Sequence, residues 1–279
     1  MTDIRHALDQ ATTLLTSTSP SARLDAELLL AKILNKSRTY FYSHPEAILT
    51  MIQQEQYQQI IKQRTAGQPI AYLTGTREFW SLPLKVSQDT LIPRPETELL
   101  VELTLTLLPN APATVLDLGT GSGAIACALA SERPDWQLLA VDKSQTALHV
   151  AYHNATQLGL HNLNVLCSNW FESIPKQLFH VIISNPPYIA DNDPHLSQGD
   201  VRFEPRDALS SGDQGLDALN HIIEQSPEWL IPGGLLLLEH GFEQGSVVTS
   251  MLRKNGFEQV QCWKDWQGHD RVSGGQRKS

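Results

Sequence analysis

Between Thr114 and Ile183 the chain alternates short apolar runs with helical stretches, and a glycine-rich turn joins the first pair. Thr114-Val115-Leu116-Asp117-Leu118 reads as a strand and Ala124 to Glu132 as a helix. Leu138-Leu139-Ala140-Val141-Asp142 reads as a second strand, followed by a helix from Ser144 to Leu158. Asn164-Val165-Leu166-Cys167, Val181-Ile182-Ile183 and Leu235-Leu236-Leu237-Leu238 supply further strands. Strands separated by helical crossovers run parallel, so the pattern predicts an α/β fold: a mostly parallel sheet with helices on both faces. Such sheets bind ligands beyond their carboxyl strand ends, so polar residues just after strands are the first candidates for a site.

Asp117-Leu118-Gly119-Thr120-Gly121-Ser122-Gly123-Ala124 joins the first strand to its helix. Glycines let the backbone turn sharply and let a ligand approach without a Cβ clash, and the helix start presents free N–H groups. Gly119-x-Gly121-x-x-Ala124 satisfies the relaxed dinucleotide pattern as well as that of a nucleoside-type methyl donor, and a purely structural turn is the plain alternative. Asp142 ends the next strand about twenty residues on, where an acid accepts hydrogen bonds from ribose hydroxyls or is a simple surface group. Asp117 supplies the acidic surroundings that the cationic amino acid and sulfonium of S-adenosylmethionine need. Trp170, after the third strand, either walls off a purine ring or is an ordinary core tryptophan.

Asn185-Pro186-Pro187-Tyr188 follows directly on His180-Val181-Ile182-Ile183-Ser184. Two prolines cannot continue a sheet, because each lacks an N–H and fixes φ. The strand therefore stops there and leaves its last carbonyl groups unpaired. The tetrapeptide offers acceptors and a flat apolar face, which suits a planar, neutral N–H donor such as an amide or an exocyclic amine. The plain alternatives are a turn asparagine before proline and a core-filling Tyr188.

The earlier part of the chain is different. Ile4, Leu8, Ala11, Leu14 and Leu15 recur at helical spacing. A second stripe follows at Leu24, Leu28, Leu29 and Ile33, with Ser19 as N-cap and Pro20 in the first turn. Met51 to Ala66 is a third, glutamine-rich helix ended by Gly67 and Pro69. Short amphipathic helices cannot bury their stripes alone, so a small bundle is expected. Phe79-Trp80 and Leu84-Lys85-Val86 flank Leu82-Pro83 like a hairpin connector. The polar N-terminus lacks a secretory signal, and no apolar run approaches the ~18–20 residues of a membrane span. Cys127, Cys167 and Cys262 lack CxxC spacing, so neither a metal site nor a disulfide framework is expected, and the cytoplasm is the default location. A net charge of -9 weighs against a nucleic-acid-gripping protein.

The glycine loop followed by Asn185-Pro186-Pro187-Tyr188 resembles class I S-adenosylmethionine-dependent methyltransferases that act on planar nitrogen. Gly67-Gln68-Pro69-Ile70-Ala71-Tyr72-Leu73-Thr74-Gly75 with Glu78-Phe79-Trp80, and Leu91-Ile92-Pro93-Arg94-Pro95-Glu96-Thr97-Glu98, resemble the peptide chain release factor glutamine methyltransferase family. Gly199-Asp200-Val201-Arg202-Phe203-Glu204-Pro205, Leu237-Leu238-Glu239-His240-Gly241 and Asp270-Arg271-Val272 extend the likeness almost to the end. It implies a seven-stranded Rossmann-like methyltransferase sheet over residues 95–279, a helical substrate-recognition domain over 1–75 and a β-hairpin linker over 76–94. The implied reaction moves a methyl group from S-adenosylmethionine to N5 of the glutamine in the Gly-Gly-Gln loop of bacterial class I release factors. A ribosomal protein glutamine methyltransferase shares the chemistry, and a nucleic-acid amine methyltransferase is the more distant alternative.

On this reading the side-chain oxygen of Asn185 and the carbonyl of Pro186 accept the two amide hydrogens, and Pro187 and Tyr188 complete the substrate site. Asp117, Gly119, Thr120, Gly121, Ser122, Gly123, Asp142, Trp170 and Asn185 bind the cofactor. The expected partner is a release factor, with no stable nucleic acid, no membrane and a monomeric enzyme. Arg94 and Glu98 either order a loop over the site or form a salt bridge or helix cap, and His240 reads as structural, not catalytic. The chain also carries its own Gly274-Gly275-Gln276, which raises self-methylation of Gln276 as a hypothesis.

Overall fold

The structure, a computed structural model, describes residues 2–279. The chain forms two compact units, one holding the residues up to Thr76 together with Ser197–Phe203, the other Arg77–Leu196 and Glu204–Ser279.

In the first unit α1 (Ile4–Leu15), α2 (Ala22–Leu34), α3 (Arg38–Ser43), α4 (Met51–Thr65) and α5 (Ile70–Thr74) enclose a core that includes Ile4, Leu8, Leu15, Leu29, Leu30 and Phe41. Helix α1 begins on Asp3, whose side chain accepts the His6 N–H at 2.8 Å. Helix α4 begins with a reciprocal capping box between Thr50 and Gln53. Two expectations fail here. Helix α2 starts at Ala22 after Ser21, and the hydroxyl of Ser19 donates instead to Asp25 at 2.7 Å. The buried face of α2 is Ala22, Ala26, Leu29 and Leu30, while Leu24 is 41% exposed. Three consecutive leucines, Leu28 to Leu30, leave the helical phase open, and the buried carboxylates of Asp25 and Glu27 then settle it.

Those carboxylates are fully engaged. Asp25 accepts from Arg64 Nε at 2.8 Å and from the hydroxyls of Ser19 and Ser21. Glu27 accepts from Arg23 at 2.9 Å, from Arg38 at 2.9 and 2.6 Å, and from the Tyr42 hydroxyl at 3.1 Å.

A two-stranded hairpin, β1 (Thr76–Phe79) and β2 (Leu82–Lys85), follows, all but its first residue belonging to the second unit. Then come α6 (Glu98–Leu107), β3 (Thr114–Leu118), α7 (Ala124–Glu132), β4 (Gln137–Asp142), α8 (Gln145–Gln157), β5 (Leu163–Cys167) and β6 (Phe179–Ser184). The chain ends with α9 (Asp217–Gln225), β7 (Leu230–Glu239), α10 (Gly245–Lys254), β8 (Phe257–Lys264) and β9 (Asp270–Arg277). Seven strands form one sheet in the order β5-β4-β3-β6-β7-β9-β8. The first five are parallel, and β9 runs antiparallel to both β7 and β8. Alternate strand residues feed opposite layers. Val115, Val181, Ile183 and Leu237 pack with α6 and α7, and Leu116, Ile182, Leu236 and Leu238 with α9 and α10. Each such side chain fully buried contributes about 1.5–3 kcal/mol.

The register levels the carboxyl ends: Leu118 lies opposite Val141 and Ser184, and Asp142 opposite Cys167. From β3 the chain proceeds outward to β4 and β5, then returns to β6 on the other side of β3. That reversal is the topological switch point at which open α/β sheets bind ligands.

Gly274-Gly275-Gln276 lies inside β9, paired with Leu237, Leu236 and Leu235 of β7. A Cβ on Gly274 would come within 2.5 Å of the Leu236 carbonyl and 2.6 Å of Leu237 Cδ2. The tripeptide is therefore used for close strand packing.

Candidate active site

At the carboxyl ends of β3, β4, β5 and β6 lies a cavity of about 730 Å³, walled in part by Gly119, Gly121, Asp142, Trp170, Asn185 and Pro187. A second cavity of about 600 Å³, in the helical unit, is lined by Ala7, Ala11, Leu14, Ile61 and several glutamines but by no carboxylate. Only the first brings chemistry together.

The glycine loop folds back onto the end of β4. The N–H groups of Gly119 and Thr120 both donate to the Val141 carbonyl at 2.9 Å. The Gly121 N–H donates to Asp142 Oδ2 at 2.9 Å, and the Ser144 N–H to Oδ1 at 2.8 Å. Each carboxylate oxygen keeps further acceptor capacity toward the cavity. Gly121 has φ +55° with open space where a Cβ would stand. Gly123, φ +81°, faces Ala151, whose Cβ and Cα would lie 3.1 and 3.2 Å from an added Cβ. One glycine thus leaves room for a ligand and the other lets α7 approach α8.

Asp117 sits under this loop, 1% exposed, and does not itself wall the cavity. Its Oδ2 accepts the Thr120 hydroxyl at 2.6 Å, and its Oδ1 has no hydrogen-bond partner among the described residues. Burial, reinforced by the negative charge of Asp142, pushes its pKa up to about 7 against the pull of the Thr120 hydrogen bond. A buried acceptor left unpartnered is costly, and a cationic ligand nearby would relieve it. The residues present therefore fit S-adenosylmethionine: an open glycine turn, a ribose-type carboxylate in Asp142 and an under-satisfied acid behind the loop. Thr120 and Ser122 are buried and serve the loop itself. The Ser122 carbonyl accepts from Asn154 Nδ2 at 2.8 Å. Trp170 belongs to both surroundings, lining the cavity and packing on the core cluster of Leu116 and Phe171.

In the tetrapeptide, Asn185 Nδ2 donates to Thr97 Oγ1 at 3.2 Å, while its Oδ1 has no protein partner among the described residues. Pro187 shares the cavity wall, whereas Pro186 is buried. The Tyr188 hydroxyl points inward and donates to Glu239 Oε1 at 3.2 Å. Burial, and then the charge of Glu239, raises the pKa of this phenol. Glu239, 1% exposed at the end of β7, has an unpartnered Oε2. Burial pushes its carboxyl up to about 7, partly countered by the nearby Thr97 hydroxyl, by the charge of Arg271 and by the Tyr188 hydrogen bond.

Arg94 forms an ion pair with Glu204, whose other oxygen accepts the Ile92 N–H at 3.1 Å. Glu98 accepts the Trp80 N–H at 2.9 Å, tying the hairpin to the start of α6. His240 is buried between the Gly241 carbonyl at 2.9 Å and the Ser273 hydroxyl at 2.8 Å, away from the cavity wall. Thr97 and Glu239 received no role from the sequence. Glu239 had a signal, a charged residue closing the apolar run Leu235 to Leu238 at the ligand-binding edge.

The family model described as the PrmC N-terminal domain matches residues 6–75, and the one described as the methyltransferase small domain matches residues 95–200. A protein of Salmonella typhimurium named release factor glutamine methyltransferase is 50% identical over 98% of each chain. One of the same name from Escherichia coli is 50% identical over 91% of this chain and 92% of its own. Among solved structures, a methyltransferase from Pyrococcus furiosus superposes with a TM-score of 0.55 over 80% of this chain and 98% of its own, at 18% identity. That last likeness concerns the fold alone.

Proposed function

The chain belongs to the family of release factor glutamine methyltransferases, and from that premise we propose that Asn185 and Pro186 hold a release-factor glutamine beside an S-adenosylmethionine bound at Gly119–Gly123 and Asp142. The enzyme is an S-adenosylmethionine-dependent protein glutamine methyltransferase. Its target is N5 of the glutamine in a Gly-Gly-Gln loop. The reading is carried by one observation: Asn185 is anchored through Nδ2, which leaves Oδ1 unpartnered on the cavity wall that it shares with Gly119, Gly121 and Asp142.

The bound cofactor supplies an electrophilic methyl group on a sulfonium sulfur. What the protein must supply is control of a poor nucleophile, since the amide lone pair is delocalised into its carbonyl. Asn185 Oδ1 accepts one amide hydrogen and the Pro186 carbonyl the other. Together they hold the nitrogen in place and stabilise the positive charge that grows there as the new N–C bond forms. Orientation of this kind contributes ~7–11 kcal/mol, and a preorganised dipole about 3–4 kcal/mol more. The diproline fixes the carbonyl, because neither ring can rotate about φ. After transfer the N-methylated amide is strongly acidic and loses its proton without a dedicated base.

The helical residues 1–75 are read as the part that recognises the partner, 76–94 as the linker and 95–279 as the catalytic part, a division supported by the two family matches. No helix among the described residues is long and apolar enough to cross a membrane. A cytoplasmic monomer without a standing nucleic-acid partner fits this and the net charge of -9. The deciding experiment offers methyl-labelled S-adenosylmethionine with a purified release factor, ribosomal protein or nucleic acid. Label is expected on the release-factor glutamine; label only on ribosomal protein or nucleic acid overturns the substrate assignment.

A further inference from the structure

The cavity takes up the carboxyl ends of β3 to β6, and among the described residues none after His221 lines it. The ends of β7 and β9 continue the same edge: Leu238 lies opposite Ser184 of β6, and Glu239 opposite Val272 of β9. The loops at this edge, 240–244 after β7 and 265–269 before β9, carry two large exposed aromatic side chains. Phe242 is 57% exposed and Trp266 77%.

Both loops are held firmly. The buried carboxylate of Asp265 accepts the N–H groups of Gln267 and His269 at 3.0 Å each and Arg271 Nε at 3.2 Å. The Asp265 N–H donates to the His269 carbonyl at 2.8 Å and closes the turn. In the other loop the Gln244 side chain is fixed at both ends of its amide. Its Oε1 accepts the Gly241 N–H at 2.8 Å, and its Nε2 donates to the Tyr188 carbonyl at 3.0 Å. The Phe242 loop is thus tied directly to the tetrapeptide. The two loops meet where the Phe242 ring lies against His269, with ring centroids 5.6 Å apart.

Single exposed apolar residues are ordinary on a protein surface. Here two aromatic residues stand on adjoining loops whose backbones are already ordered, so a partner that covers them pays little to fix them. The two residues before the substrate glutamine are glycines and offer no side chain. Asn185 and Pro186 therefore read an amide but not the protein that carries it, and discrimination falls to residues further along the partner. Neighbouring strands lie ~4.8 Å apart, which puts the Phe242 loop one spacing from the end of β6 and the Trp266 turn two, ~10 Å away. An extended chain covers ~3.3–3.6 Å per residue, so the third or fourth residue from the glutamine reaches that far.

We propose that Phe242 and Trp266 form a docking surface for the release factor, receiving apolar side chains that flank its Gly-Gly-Gln loop. The proposal rests on the reading of Asn185 and Pro186 as the holders of the glutamine amide. The surface continues the sheet edge from the tetrapeptide on the side away from the cofactor cavity, so the methyl donor and the protein substrate reach Asn185 from opposite directions. Exposed aromatic anchors of this kind dominate the energy of protein interfaces. They act on capture of the protein and leave the chemistry of the amide alone.

The experiment compares the parent with Phe242→Ala, Trp266→Ala and the double variant, all in the full chain. Leu178→Ala is the control, an exposed apolar residue just before β6 at the opposite edge of the sheet. Measured are kcat and KM for a purified release factor at saturating S-adenosylmethionine, cofactor affinity by calorimetry, thermal unfolding, and sedimentation of the enzyme alone. Each single variant should raise KM roughly 5- to 30-fold, and the double variant further. Their kcat, cofactor affinity and unfolding temperature should stay close to the parent's, and Leu178→Ala should match the parent throughout. A double variant with the parent's KM overturns the proposal, and so does a fall in kcat with KM unmoved. A parent that sediments as a dimer, with a monomeric double variant of unchanged KM, gives the surface to a second copy of this chain and also overturns it. Trp266→Lys serves where Phe242→Ala lowers the unfolding temperature, because the turn is held by Asp265 and backbone groups; it too should raise KM, and an unchanged KM overturns the proposal. A parent that does not label the release factor defeats the substrate reading, whereas a labelling parent with indifferent Phe242 and Trp266 defeats only the docking surface.

Discussion

Asp25 and Glu27 in the helical unit are as deeply buried as Asp117 and Glu239 in the sheet unit, all four being at most 3% exposed. Their surroundings differ in kind. Both oxygens of Asp25 and of Glu27 are engaged by hydroxyls and guanidinium groups. Asp117 and Glu239 each keep one oxygen without a partner, and neither has a cation hydrogen-bonded to it. Burial works to raise the Glu27 carboxyl, but hydrogen bonds from Arg38, Arg23 and Tyr42 outweigh it and hold the group below the usual range. Burial wins at Asp117 and Glu239, both pushed up to about 7. Depth alone therefore does not set the charge of a buried acid; the donors and cations that reach its oxygens do.

Asp25 carries the largest expected effect on stability. Its removal in Asp25→Ala leaves the Arg64 guanidinium, only 11% exposed, without its main partner. Such losses cost about 3–5 kcal/mol, which chemical unfolding should show; a loss below about 1 kcal/mol would mean that the pair has no structural weight.

The pH dependence of stability should run in opposite directions at the two places. Glu27 has a lowered folded pKa, so its contribution is present above the unfolded value and is lost as pH falls through the folded one. Asp117 has a raised pKa. Between the unfolded value near ~4 and about 7 the folded state binds more protons, so its contribution declines as pH rises and is flat above. Comparing the parent with Asp117→Asn across this window isolates the effect, roughly 4 kcal/mol at ~1.4 kcal/mol for each pH unit. Equal slopes in the two proteins would contradict it.

The next effects are on function. Asn185→Ala should lower kcat at least 100-fold, about 2.7 kcal/mol, while calorimetry shows cofactor affinity nearly unchanged. Parent-like turnover would remove Asn185 from the reaction. Asp142→Ala should weaken cofactor binding roughly 10- to 100-fold, about 1.4–2.7 kcal/mol; unchanged affinity would place the ribose elsewhere.

Local chemistry made much of the sheet unit legible. Helix α7 spans Ala124–Glu132 as the run of small residues indicates, and the βα alternation marks five of the seven strands. The glycine loop and the diproline announce themselves because each is a backbone constraint with few uses. Strand β8 escaped notice, since Phe257–Lys264 at the sheet edge mixes polar with apolar residues and lacks a clear alternation. The phase of α2 escaped because it depends on Arg64 and Arg38, residues far along the chain. Thr97 escaped for the same reason, as its partner Asn185 lies far along the chain, after β6. Interactions between distant segments leave no mark in either segment alone.

The strand order also bears on how the molecule is made. Strand β9 follows β8 along the chain, yet it lies between β7 and β8. Until Arg277 has emerged, β7 carries an unpaired edge alongside Leu236, Leu237 and Leu238, and β8 has no neighbour to join. An uncovered apolar edge is a template for pairing with another chain. The chain is thus most exposed to such pairing while β9 is out of place, and deleting Asp270–Arg277 would leave the edges of β7 and β8 open.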